Sequence, residues 1–90
     1  MINFDRTSMI LYSVNYVKDN YSNISQTTQC KAWLGVALND LKELPADDLV
    51  TDLTSEIQAI DQWFSERTPL SDPDAVLERI QKAFDIAHKV

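Results

Sequence analysis

Residues Glu43–Glu66 read ELPADDLVTDLTSEIQAIDQWFSE. Leu49, Val50, Leu53, Ile57, Ile60 and Phe64 recur at the spacing that lines up side chains on one face of an α-helix. Pro45 cannot continue a preceding helix, and its fixed φ suits the first turn of a following one, so the stretch predicts a break and then a helix over 46–66. The same stretch holds Glu43, Asp47, Asp48, Asp52, Glu56, Asp61 and Glu66 and no Lys or Arg. It therefore carries seven of the 14 acids, and the rest of the chain sets the other seven against all 8 bases. An amphipathic helix with an acidic outer face is the unit from which the rest of the chain is read.

Upstream, Cys30, Trp33, Leu34, Ala37, Leu38, Leu41 and Leu44 form a broad apolar stripe, which predicts a helix over 26–43 at the centre of the core. Its back face carries Ala32, Gly35 and Val36. A mid-helix glycine costs about 1 kcal/mol relative to alanine, so Gly35 is either tolerated or admits a second backbone at close range. Before this helix, Ser22, Asn23, Ile24 and Ser25 read as a turn with capping residues. A first helix is expected over 5–21: Asp5 caps it, Phe4 and Met9 are placed for a hydrophobic staple, and Ile10, Val14, Val17 and Tyr21 share one face. Ile10, Tyr12, Val14 and Tyr16 also alternate as in a strand, but a lone strand has nothing to pair with in a helical chain.

Downstream, Thr68 to Ser71 is a connector. Asp72 and Pro73 are the cap and first position of a last helix over 73–89, with Val76, Leu77, Ile80, Ala83, Phe84 and Ala87 inward. Lys82, His88 and Lys89 sit toward its negative end. One glycine and three prolines in the chain suit helices joined by short links rather than hairpins. The expectation is an all-α single domain over 1–90, a small antiparallel four-helix bundle or close variant. At 90 residues such a chain buries only about 60% of its unfolded surface, so its core is thin.

A net charge of −6 and a pI near 4.4 disfavour direct contact with nucleic acid or anionic membrane and favour a protein partner with a basic surface. Cys30 is the one cysteine and cannot form an intramolecular disulfide. No stretch resembles a signal peptide or a membrane span, which makes the cytoplasm the default compartment. Gly35 alone cannot build a phosphate-binding loop, and Cys30 with His88 is too small a set of soft ligands for zinc. Cys30 lies on the apolar stripe and is read as buried and inert, and His88 as a solvated residue near the chain end. No metal, cofactor or catalytic residue is expected.

Asp48, Asp52 and Glu56 follow one another at four-residue spacing, about 6 Å apart. Trp63 falls on the same side, at the edge of the core stripe, and Glu66 extends the row. Asp47 and Asp48 have a local explanation in the helix dipole, whereas Asp52, Glu56 and Glu66 do not. Carboxylates on an exposed convex helix keep full hydration, which suits neither acid–base catalysis nor metal binding. A tryptophan beside such a row resembles the aromatic anchors of interfaces.

The expected function is therefore a non-enzymatic protein-binding regulator or inhibitor, of the immunity, antitoxin-like or phage-encoded modulator type. Asp48, Asp52, Glu56, Trp63 and Glu66 are its candidate contact. The alternative is a self-assembling structural or adaptor subunit whose homodimer contact uses Tyr12, Tyr16, Gly35 and Val36. Imitation of a nucleic-acid backbone ranks below both, because phosphates on duplex DNA are far denser than these carboxylates. Trp33, Leu34 and Gly35 spell the Trp-x-Gly tripeptide of a family of small secreted helical hairpins, where it occupies the turn between two helices. Here it falls inside the periodic run Cys30 to Leu41, and nothing is transferred from that family.

Overall fold

The computed structural model describes residues 5–90. Four α-helices follow one another: α1 (Arg6–Asn20), α2 (Thr27–Lys42), α3 (Asp48–Glu66) and α4 (Asp74–Ala87). Residues 9–17 are helical, and the strand-like alternation there is overridden. Ile10, Val14 and Val17 are buried while Tyr12 is left exposed and Tyr16 half-buried, so the helical period and not the alternation decides burial.

Each start has a physical cause in the sequence. Asp5 stands in extended conformation and accepts from the Ser8 N–H at 2.8 Å, with the Thr7 hydroxyl donating to the same carboxylate at 2.7 Å. These two donors hold its carboxyl below the usual range, the Ser8 amide first. The staple expected of Phe4 falls outside the described residues. Between α1 and α2, Asn23 accepts from the Ser25 N–H at 3.0 Å and opens a 3₁₀ turn over Ile24–Gln26, where the sequence placed a capped turn.

Helix α3 begins at Asp48, two residues after the expected start. Asp47 is extended, and its carboxylate accepts from the Val50 N–H at 2.8 Å, so the cap and not Pro45 sets the boundary. Before α4, the Asp72 carboxylate accepts from the Asp74 N–H at 3.0 Å, and Pro73, expected as the first helical position, instead stands in the cap position before a helix that begins at Asp74.

Consecutive helices pack against one another, and α4 returns to α1, which closes a small four-helix bundle. Its core runs through Ile10, Val14 and Val17 of α1; Cys30, Leu34, Ala37 and Leu41 of α2; Leu53, Ile57, Ile60 and Phe64 of α3; and Val76, Ile80 and Ala83 of α4. Trp33, Leu38, Leu44 and Phe84, expected inward, instead flank that core and are half-buried. Gly35 faces outward from the middle of α2, and a Cβ added there would meet nothing within 4 Å. No intramolecular approach requires the glycine.

Candidate functional site

Along α3 the five expected contact residues do share one side, but they are not equally available. Asp48, Asp52 and Glu66 are exposed. Glu56 is drawn toward α4, where its two carboxylate oxygens meet Arg79 Nη1 at 3.2 Å and Lys82 Nζ at 3.3 Å, leaving its side chain 12% exposed. Lys82 thus serves an ion pair with α3 in addition to its place along α4. Trp63 is half-buried against the core and meets Phe64 edge-on with ring centroids 5.0 Å apart. Between Asp52 and Glu66 the exposed residues of α3 are Ser55, Gln58, Gln62 and Ser65, so the outer face is acidic at both ends and neutral in the middle. At the far end, Gln62 donates to the Glu66 carboxylate at 2.7 Å.

The charge belongs to a larger unit than α3. Helices α3 and α4 with their connectors, residues 44–90, hold ten acids and four bases, a side-chain balance of −6. Residues 5–43, which form α1, the turn and α2, hold four acids and four bases and are neutral. The molecule's whole net charge therefore lies on one helical hairpin. Three of that hairpin's bases are committed within the fold: Arg79 and Lys82 to Glu56, and Arg67 to the α1–α2 connection. Asp47, Asp48, Asp52, Glu66, Asp72, Asp74, Glu78 and Asp85 are all exposed, and none forms an ion pair among the described residues.

Arg67 is the residue that helix periodicity could not single out, because it lies just past the end of α3. Its guanidinium donates to the Ser22 carbonyl at 3.2 Å and to Thr27 Oγ1 at 3.3 Å, and covers the Trp63 ring at 5.0 Å. One side chain thus ties the end of α3 to the start of α2 and roofs the tryptophan. Its Nε is buried with no partner among the described residues.

The self-association candidates divide similarly. Tyr12, at 56% exposed, stands edge-on to Trp33 with centroids 5.1 Å apart, and Gly35 and Val36 are exposed one helix over. Tyr16 is turned into the α1–α2 seam, where its hydroxyl donates to Gln26 Oε1 at 2.7 Å.

Of the residues of greatest chemical reactivity, Cys30 lies in the core and His88 shares a groove with Tyr12 and Asn15. Burial pushes the Cys30 thiol up to about 11, with the positive charge of Arg67 acting in the opposite sense. His88 is exposed at the end of α4 with Nδ1 2.9 Å from the Phe84 carbonyl, a helix-end contact. A groove of about 420 Å³ between α2 and α3 is lined by Leu38, Leu41, Leu44, Val50 and Thr54 with Lys42. Among the described residues no carboxylate, imidazole or thiol lines it, and no group of three His, Cys, Asp or Glu is placed to hold a metal. No described helix is long and apolar enough to cross a membrane. No family model, no curated protein and no solved structure matches the chain.

Proposed function

We propose that the protein is a non-enzymatic regulator or inhibitor that works by binding another protein, and that the acidic α3–α4 hairpin faces a basic partner. The observation that carries this reading is the partition of charge: −6 on residues 44–90 and zero on residues 5–43. A one-sided field of this kind orients a basic partner during approach and raises its rate of encounter, while adding less to the final affinity. Asp48, Asp52 and Glu66 remain the proposed contact on α3, joined by Asp72, Asp74 and Glu78 from the α4 side. Glu56 acts from behind them, holding α4 in place through Arg79 and Lys82, and Trp63 gives the surface a rigid apolar edge.

The test is affinity capture from lysate of the native organism with the wild-type chain and with the triple variant Asp48→Asn, Asp52→Asn, Glu66→Gln. All three side chains are exposed, so the helical circular dichroism is expected to stay unchanged. Capture of a basic protein that the triple variant fails to retain supports the reading. Equal capture by both chains overturns the site.

A further inference from the structure

The neutral hairpin is also the apolar one. Four large apolar side chains stand exposed among the described residues, and three of them, Tyr12, Ile24 and Val36, belong to α1, α2 or the turn between them. The fourth, Leu70, is in the α3–α4 connector. In the middle of the hairpin the exposed residues are Tyr12 and Asn15 on α1 and Ala32, Val36 and Asn39 on α2, without a charge among them, while Gly35 is exposed on the α3 side of α2, between Lys31 and Leu38. Charge returns only at the ends, with the Arg6–Asp40 pair at 3.3 Å on one side and Asp19 on the other. An uncharged centre inside a polar rim is the anatomy of a protein interface.

We infer that this face takes a second copy of the same chain, in a two-fold dimer centred on Tyr12, Ala32 and Val36. Charge selects that occupant. Two copies at −6 each repel wherever their α3–α4 hairpins approach, and the α1–α2 face brings together two neutral surfaces while sending both acidic hairpins to opposite outer sides.

Area sets the strength. Helices of 15 and 16 residues, at 1.5 Å per residue and about 10 Å apart, present a face of about 24 by 20 Å. Two such faces bury on the order of 1,000 Å², the lower limit for a specific interface, so the dimer is weak and depends on concentration. The inference stands apart from the partner-binding reading, because it uses the opposite side of the molecule.

Sedimentation equilibrium from about 10 µM to about 1 mM tests it, a range that brackets the dissociation constants of weak interfaces. The apparent mass is expected to rise from 10.3 kDa toward twice that value and to stop there. Val36→Glu and Ala32→Glu are each expected to hold the chain at the monomer mass with unchanged circular dichroism, since both positions are exposed. The pair Asp52→Lys and Glu66→Lys, on the far side, is expected to leave association intact. A monomer across the whole range, a dimer indifferent to both glutamates, a dimer lost in the lysine pair, or a mass growing past two copies would each overturn the inference.

Discussion

Gly35 shows what a single residue costs when the fold does not ask for it. It lies mid-helix without a positive φ, and its missing Cβ faces open space. Gly35→Ala is therefore expected to stabilise the monomer by about 0.5–1 kcal/mol, read as a rise in melting temperature of a few degrees at low protein concentration. A fall would mean that the glycine serves a close contact inside the chain.

Cys30 gives a second residue-scale prediction. Its folded thiol titrates near 11 against an ordinary value of 9.0, so the folded chain holds the proton more tightly than the unfolded one. That stabilising contribution is complete below the unfolded value and is lost as pH rises from about 9 toward 11. The difference in melting temperature between wild type and Cys30→Ala should be constant up to pH 9 and change above it, the wild type losing ground. A difference flat to pH 11 would contradict the burial argument. The buried thiol was legible in the sequence because Cys30 repeats in step with Leu34, Ala37 and Leu41, and helical period alone decides which side of α2 is covered.

At the scale of elements, starts and stops were legible for the same reason: Asp5, Asp47 and Asp72 each supply a carboxylate to a free amide, and such signals act within three residues of themselves. Neighbour choice is a different matter. Periodicity placed Glu56 on the outer side of α3 but not against Arg79 and Lys82, 23 and 26 positions downstream, because one helix's pattern does not say which helix lies beside it. Arg67 was invisible for a related reason, since it belongs to no stripe and its partners Ser22 and Thr27 are 45 and 40 residues away. Arg67→Ala is expected to cost about 1–2 kcal/mol in denaturant unfolding, through two lost hydrogen bonds and the uncovered Trp63 ring. Arg67→Lys should recover little of it, because an ammonium cannot span two acceptors while lying flat on an indole. Full recovery by lysine would show that charge alone matters there.

Seen whole, the molecule has two unlike sides made from its two hairpins. The sequence located the acidic centre of gravity in Glu43–Glu66, and folding widens it to α3 and α4 together while neutralising its middle at Glu56. The neutral side emerges only when α1 and α2 are placed next to each other, bringing Tyr12 against Trp33 and leaving Tyr12 and Val36 both exposed. If the acidic hairpin binds the partner, retention must fall with salt, because the screening length shrinks from about 14 Å at 0.05 M to about 4 Å at 0.5 M. The most direct test is therefore retention of the captured partner over that salt series, for wild type and for the Asp48→Asn, Asp52→Asn, Glu66→Gln variant. The account predicts release of the partner as salt rises, and release from the variant at distinctly lower salt than from wild type. Retention that ignores both salt and the three substitutions would contradict it.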